Sequence, residues 1–258
     1  MENTLFEITI QYEGTPEEAK KPPWDGGFVW DEDKNETPLI GVACEGTGAS
    51  LWWPNKDHPS DEPDSARLSI TVPDTLIAVG NGQLESINNT DSTATFTWLV
   101  QNPINNYNIT LNIGDYVIIS DTLINSSGVQ KLNHYVLSYN KETALRYFPQ
   151  VREVIHFFEK IFGEYPFWED GYKLVETPYA GMEHQSAIAY GNGYTTSGRY
   201  YIYDLVDYII LHETAHEWWG NSLTACDGAD IWLHESFATF GEVLYVEEKL
   251  GRLVSIDY

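Results

Sequence analysis

The sequence predicts an α+β fold, in which a β-rich part is followed by a part that combines helices with short strands. Up to about residue 135, apolar and polar residues alternate in short runs separated by turn-forming residues, which is typical of antiparallel strands. After Lys141 the apolar residues recur at helical spacing. The length of 258 residues allows one large or two ordinary domains. We therefore expect one domain over residues 1–138 and a second over residues 139–258.

Six segments of the first part have the alternation expected of strands. These segments are LFEITIQYEG, ARLSITVP, LIAVGNG, TATFTWLV, YNITLNIGDYVII and LNHYVLSYN. Breaker-rich stretches such as KKPPWDGG and NKDHPSDEPD separate them. Short strands at this spacing favour an antiparallel sheet or a sandwich.

Three helices are predicted in the second part. The first covers about residues 145–162 and ends at Gly163, a natural helix stop. The second covers about residues 203–219, and the third about residues 231–250, before Gly251. Between the first two, YKLVETP predicts a strand and GMEHQSAIAYGN a strand with a loop.

Composition and charge exclude several classes of protein. With 14 Lys and Arg against 39 Asp and Glu, the formal net charge of −25 repels nucleic acids and attracts metal ions or the ammonium group of a peptide N-terminus. No apolar run approaches the roughly 18 residues that span a bilayer, so membrane insertion is not expected. Cys44 and Cys226 are too few for a disulfide scaffold or a Cys-rich zinc site. Two buried free thiols are the favoured interpretation, and a single bridge between them is the alternative.

The segment HETAHEWWGN carries the strongest chemical signal. His212 and His216 lie four residues apart on a predicted helix, so both imidazoles project from one face and can bind one metal ion. Glu213 lies at the edge of that face, where it can reach a water near the metal without being a ligand. The alternative is two ordinary histidines on an amphipathic helix.

A catalytic zinc ion needs three protein ligands and one open position. Glu235, in WLHESFATF on the next predicted helix, is the candidate third ligand. Glu242 lies two helical turns further along the same face, where it either binds the far nitrogen of a ligand histidine or is an ordinary surface carboxylate. The pattern predicts one Zn²⁺ per chain and a hydrolytic centre in which Glu213 accepts a proton from water.

Two segments, YAGMEHQSAIAYG and HETAHEWWGNSLTACDGADIWLHESFATF, resemble those of the gluzincin metallopeptidases of family M1, which includes aminopeptidase N and leukotriene A4 hydrolase. The resemblance extends back through SLWWPNKDHPSDEPDSARLSITVPDTLIAVGNG and covers about residues 43–245. It implies a β-sandwich-type N-terminal domain followed by a thermolysin-like catalytic domain, both incomplete in this chain. It also implies zinc-dependent hydrolysis of N-terminal residues from peptides with a free N-terminus.

The resemblance also implies which residues bind the substrate. In the family, the glutamate of a G-x-M-E-N segment binds the free α-amino group, and the matching residues here are Gly181, Met182 and Glu183. A second anchor precedes a W-x-P segment and matches Glu45. The alternatives are an ordinary loop carboxylate for Glu183 and a strand-end glutamate for Glu45.

The chain departs from the family pattern around these residues. Ala180 replaces the first glycine of the G-x-M-E-N region, and it restricts the backbone torsions of the strand expected along the substrate. His184 replaces the final asparagine, and it either adds a titratable donor beside the amine site or substitutes one polar side chain for another; we do not assign it to the metal. His234 and Ser236 flank Glu235 where Asn and Gly are usual.

The family's oxyanion-stabilising tyrosine is expected beyond residue 258, because Tyr245 lies on the ligand helix and Tyr258 at the terminus. Losing such a donor typically costs about 10²–10³ in rate, so we expect this chain alone to bind zinc but turn over weakly. One alternative is a non-catalytic peptidase-like scaffold, which the presence of Glu213 disfavours. An endopeptidase or an epoxide hydrolase on the same frame is disfavoured by Glu183 and Glu45.

Overall fold

The computed structural model describes residues 6–46, 48–195 and 206–258. Within these ranges, nine strands precede the first α-helix and three short strands lie between the second and third α-helices. This α+β arrangement confirms the predicted class. The twelve strands are β1 (Gly27–Glu32), β2 (Pro38–Ala43), β3 (Ala66–Pro73), β4 (Ile77–Gly80), β5 (Gln83–Asn89), β6 (Thr93–Val100), β7 (Leu111–Gly114), β8 (Tyr116–Asn125), β9 (Gly128–Leu137), β10 (Leu174–Glu176), β11 (Gly181–Met182) and β12 (Ile188–Tyr190).

Two antiparallel sheets form the β-rich part. One has the order β1-β2-β7-β4 and the other β3-β6-β5. Their inner faces share a core that includes Val42, Val79, Phe96 and Trp98. Trp98 also donates its indole N–H to the carbonyl of Ala78 at 3.0 Å, so its one polar atom is satisfied inside this core.

The third sheet is mixed, with the order β11-β12-β10-β9-β8. Strands β8 and β9 form a long hairpin, whereas β10 runs parallel to both β9 and β12. This sheet therefore contains strands from both sides of residue 138, where the sequence predicts a domain boundary. Strand β11 forms its edge and carries Gly181 and Met182.

Five α-helices lie within the described residues: α1 (Lys141–Tyr147), α2 (Gln150–Phe162), α3 (Tyr208–Ala215), α4 (Trp232–Leu250) and α5 (Arg252–Ser255). The single helix predicted over residues 145–162 is wrong, because α1 and α2 are separated at Pro149. Proline has no N–H to donate, so it is favoured at the start of a helix rather than inside one. Helices α2 and α4 end at Gly163 and Gly251, as predicted.

Helix α3 is shorter than predicted. It begins after Asp207, whose carboxylate caps the backbone N–H of Ile209 at 3.0 Å, and it ends at Ala215. The predicted start at residue 203 lies outside the described residues. Helices α2, α3 and α4 bury their apolar sides against the third sheet, in a core that includes Phe158 and Ile210. No described helix is long and apolar enough to cross a membrane.

Some strand predictions are wrong. Residues 6–14 form no strand, and Phe6, Ile8, Ile10 and Tyr12 are exposed, because alternation alone provides no partner for the backbone hydrogen bonds. Strands β1, β2 and β5 were not predicted. The run YNITLNIGDYVII is divided into a 3-10 turn, β7 and β8.

The prediction of two buried free thiols is confirmed for Cys44 and wrong for Cys226. Both are free, but only Cys44 is buried, whereas Cys226 is exposed in the loop before α4.

Candidate metal centre and active site

His212 lies within α3, and His216 directly follows its last turn. Because His216 keeps helical backbone angles (φ −63°, ψ −21°), its ring still projects from the same face as His212. The Nε2 atoms of the two rings are 3.2 Å apart. The fold therefore brings both predicted ligand atoms to one point.

Glu235, in the first turn of α4, completes this group. Its Oε2 lies 3.5 Å from Nε2 of His212, and its Oε1 lies 3.6 Å from Nε2 of His216. The edge of a tetrahedron with metal–ligand bonds of about 2 Å is roughly 3.3 Å, so the three residues fit a zinc ion. The Glu235 side chain is 48% exposed, which leaves one side of the group open.

The far nitrogens of both rings are held by hydrogen bonds. Nδ1 of His212 lies 2.6 Å from Oε1 of Glu242, a side chain that is buried and also accepts a hydrogen bond from the hydroxyl of Tyr258. Nδ1 of His216 lies 3.0 Å from the carbonyl of Trp219. These contacts place the N–H of each ring on Nδ1 and leave Nε2 to bind a metal.

Without a metal ion, His212 and Glu235 are charged and His216 is neutral. Burial, together with the charge of His212, lowers the pKa of His216 to about 4, so its imidazole is neutral. Burial is the largest single influence and opposes the charged forms of His212 and Glu235. Their mutual hydrogen bond acts against it together with further contacts, those of Glu242 and Glu213 on His212 and those of the neighbouring histidines on Glu235, and the sum outweighs burial. The pKa of His212 is therefore raised, and that of Glu235 is lowered to about 2. A metal cation binding here would displace the proton of His212.

A cavity of about 460 Å³ opens beside these three residues. Three further carboxylates line it, from Glu45, Glu183 and Glu213, and the described residues that line it include no lysine or arginine. Burial, reinforced by neighbouring carboxylates, raises the pKa of Glu45 to about 8 and that of Glu183 to about 7. Burial also raises the pKa of Glu213 well above its usual range. The cavity is thus suited to cationic ligands.

Glu213 is held close to strand β11. A Cβ atom on Gly181 would lie 2.5 Å from Oε1 of Glu213 and 2.9 Å from the Cγ2 atom of Ile209. Only a residue without a side chain allows β11 to approach α3 this closely. Met182, the next residue, is buried and lines the cavity.

Two contacts of Glu183 were not predicted from the sequence. The hydroxyl of Tyr107 donates to Oε1 of Glu183 at 3.0 Å, and the side-chain amide of Asn221 donates to its backbone carbonyl at 2.8 Å. Asn221 belongs to the segment HETAHEWWGN, so its proximity to the metal ligands was a usable signal. Tyr107 lies in the β-rich part, 76 positions before Glu183, and nothing in the sequence indicates that the two residues are in contact.

Of the residues that depart from the family pattern, His184 does not serve as a titratable donor. It is fully buried, burial lowers its pKa to about 3, and neither ring nitrogen has a hydrogen-bond partner among the described residues. His234 accepts a hydrogen bond from the backbone N–H of Ala225 at 2.8 Å and supports the loop before α4. Ala180 is exposed and lines the cavity, while Ser236 is exposed on α4.

Residues 148–256, which include the whole metal group, match the family description "Peptidase family M1 domain". This segment is a peptidase family M1 domain. The whole chain is 28% identical over 218 residues to Probable aminopeptidase 1 of Saccharolobus solfataricus, a match that covers 78% of the chain and 26% of that protein. It is 24% identical over 264 residues to glutamyl aminopeptidase of Rattus norvegicus, with 95% and 26% covered.

Solved structures of M1 zinc metallopeptidases have the same fold. One two-domain enzyme, bound to L-tryptophan, superposes with a TM-score of 0.75 at 22% identity, over 92% of this chain and 52% of that chain. Another, from Deinococcus radiodurans and bound to a Tyr-Ser-Ala substrate, gives a TM-score of 0.71 at 24% identity, with the same coverage. The chain thus spans about a quarter of the length of these curated relatives and about half of these solved chains.

Proposed function

We propose that this chain carries the metal site and the amine-binding residues of a zinc aminopeptidase, which removes N-terminal residues from peptides. One observation carries the proposal: a single cavity holds a three-residue metal group and, beside it, two buried or half-buried carboxylates that the metal group does not use. Hydrolysis of a peptide bond by a metal-activated water would not require Glu45 and Glu183. Recognition of a free ammonium group on the substrate would require such carboxylates.

The metal would be held by His212, His216 and Glu235. Their donor set, two imidazoles and one carboxylate, is that of a catalytic zinc site. Zinc in such a site supplies Lewis acidity, which polarises a carbonyl oxygen and makes water acidic near neutral pH. Glu242 and the carbonyl of Trp219 would keep the two rings oriented towards the ion.

Glu213 would act as the general base. Its carboxylate is 7% exposed and lines the cavity next to the metal group. A carboxylate whose pKa is raised by burial accepts a proton more readily than one in water. Glu213 would take the proton from the attacking water and deliver it to the leaving amine.

Glu183 and Glu45 would bind the substrate's ammonium group. Two carboxylates in one acidic cavity offer this group charge-assisted hydrogen bonds, which are stronger than neutral ones. Binding the ammonium at a fixed distance from the metal places the first peptide bond of the substrate for attack. The same arrangement would disfavour substrates whose N-terminus is blocked.

The relatives' names support this function, since those matched over most of this chain include aminopeptidases from archaea and a mammal. A non-catalytic scaffold is the second candidate, but it would not need a buried base beside a complete ligand set. An endopeptidase would not need carboxylates placed for a free amine.

The test combines zinc content with hydrolysis of L-leucine p-nitroanilide and its N-acetyl form. We expect about one zinc per chain, cleavage of the free-amine substrate only, and a loss of about 10²–10⁴-fold in rate for Glu213→Gln with zinc retained. Glu248→Gln, an exposed glutamate paired with Lys160 on the surface, is the matched control. Absence of zinc, or equal cleavage of both substrates, would contradict the proposal.

A further inference from the structure

A buried turn of the β-rich part reaches the proposed amine site. It is the 3-10 turn Asn106–Asn108, which begins at Asn105 and presents Tyr107 towards Glu183. Asn105 caps the turn by accepting the N–H of Tyr107, and Asn106 donates its side-chain amide to the carbonyl of Lys56 at 2.9 Å. Tyr107 is 8% exposed. Its hydroxyl is therefore held on a fixed backbone.

The same turn is tied to the loop that follows the metal ligands. The side-chain amide of Asn108 donates to Oδ1 of Asn221 at 2.8 Å, and the amide of Asn221 donates to the backbone carbonyl of Glu183. Asn81 donates to the carbonyl of Asn108 at 2.9 Å and so closes the network from the other side. The backbone of Glu183 is thus fixed by Asn221, and only its side-chain torsions remain free.

The hydroxyl of Tyr107 removes that remaining freedom. The terminal torsion of a glutamate has a broad, shallow preference, so the carboxylate needs an external contact to adopt one orientation. Tyr107 donates to Oε1 at 3.0 Å, and no other side chain among the described residues donates to this carboxylate. Glu183 is 3% exposed and lines the cavity, so the orientation of its carboxylate decides where an ammonium group binds.

Tyr107 also favours the ionised form of Glu183. Burial and the nearby Glu235 raise the pKa of Glu183. A hydrogen bond from its own backbone N–H, the hydrogen bond from Tyr107 and the charge of His212 act in the opposite direction. Burial raises the pKa of Tyr107 itself well above its usual range, so the hydroxyl stays protonated and remains a donor.

We propose that Tyr107 is a positioning residue for the amine anchor: its hydroxyl orients the Glu183 carboxylate so that it binds the α-ammonium group of the substrate. This inference rests on the proposed function, because it requires Glu183 to bind an amine. It assigns a role in substrate recognition to a side chain of the β-rich part, remote in sequence from the metal ligands.

The test is Tyr107→Phe, which removes one hydroxyl and keeps the ring. Tyr116→Phe is the matched control, since Tyr116 is also buried but donates its hydroxyl to the backbone carbonyl of Glu176 at 2.7 Å instead of to Glu183. Calorimetry on the zinc-loaded chain compares L-leucine with N-acetyl-L-leucine, which differ only at the amine. Removing a hydrogen bond to a charged group predicts a tenfold to hundredfold loss of leucine affinity for Tyr107→Phe alone.

A second readout separates positioning from general loosening of the fold. Without the Tyr107 hydroxyl, the pKa of Glu183 rises, so the pH below which leucine affinity is lost should shift upward in Tyr107→Phe and not in Tyr116→Phe. If the parent chain does not distinguish leucine from its N-acetyl form, amine binding itself fails. If the parent distinguishes them and Tyr107→Phe binds leucine as the parent does, the role of Tyr107 alone is refuted.

Discussion

The carboxylate of Glu242 holds the ring of His212 from behind: Oε1 lies 2.6 Å from Nδ1, and Nε2 of the same ring points to His216 and Glu235. Glu242 follows Glu235 by seven positions on α4, so one helix supplies both a metal ligand and the residue that supports another ligand. Because both residues lie on one helix, α4 fixes the position of the Glu235 ligand relative to the residue that supports His212.

We expect Glu242→Gln to weaken zinc binding by about 10–100-fold, because the neutral amide holds the His212 ring less strongly and no longer raises its basicity. Competition with a chromophoric chelator measures the dissociation constant. Glu248→Gln on the same helix, where the side chain lies on the surface, should bind zinc like the parent. Equal zinc affinities for all three proteins would show that Glu242 does not support the site.

Zinc should stabilise the fold, because the three ligands come from the end of α3 and the start of α4 and meet only in the native structure. A zinc concentration about 1,000 times the dissociation constant adds roughly 4 kcal/mol to the free energy of unfolding. Thermal unfolding with and without a chelator should show this as a lower melting temperature after zinc removal. In Glu235→Ala, the change in melting temperature on zinc removal should be smaller than in the parent. A parent melting temperature that does not change on zinc removal would contradict the assignment of the zinc site.

Gly181→Ala should impair catalysis without removing zinc. The new Cβ would lie 2.5 Å from Oε1 of Glu213, so the base must move away from its place in the cavity. Displacing a reacting group by about 1 Å costs on the order of 10² in rate. The rate for L-leucine p-nitroanilide relative to the parent, measured together with zinc content, tests this. Gly14→Ala is the control, because a Cβ there meets nothing within 4 Å.

His134 should make the stability depend on pH. Its Nδ1 accepts the backbone N–H of Leu174 at 3.1 Å, and burial lowers its pKa to about 3. Between pH 6.5 and 3 the unfolded chain therefore binds a proton that the native chain does not, so this residue makes stability fall as the pH falls. At pH 5 the loss amounts to about 2 kcal/mol.

The variant His134→Gln should remove this dependence. Its destabilisation relative to the parent, measured by urea unfolding, should be smaller at pH 5 than at pH 7.5. His156→Gln is the control, since the side chain of His156 is 50% exposed. A difference between parent and His134→Gln that is the same at both pH values would refute the assignment.

The sequence predicted best those elements that carry their own signal. The runs ARLSITVP and TATFTWLV match β3 and β6, which pair with each other over their full lengths. The third helix was placed to within one residue of α4, because its apolar spacing and Gly251 define both its face and its end. The family was recognised from the same local pattern.

The features that could not be predicted from the sequence are those that depend on contacts between distant segments. The alternation of residues 6–14 is as regular as that of β3, but no described strand pairs with it. Strand β1 pairs with β2 although it follows a proline-rich stretch that suggested only a loop. The support of Glu183 by Tyr107 joins residues 76 positions apart, and no periodicity encodes such a contact.

The parallel pairing of β10 with β9 has a consequence for how the molecule opens. Val175 is paired with Tyr135, and the ring of His134 accepts the N–H of Leu174, so the strand that leads to the amine site is anchored to a hairpin from the β-rich part. Amide protons in β9 and β10 can exchange with solvent only after these contacts break together. The two strands should therefore share one opening free energy in hydrogen exchange, and the halves of the chain should unfold as one cooperative unit.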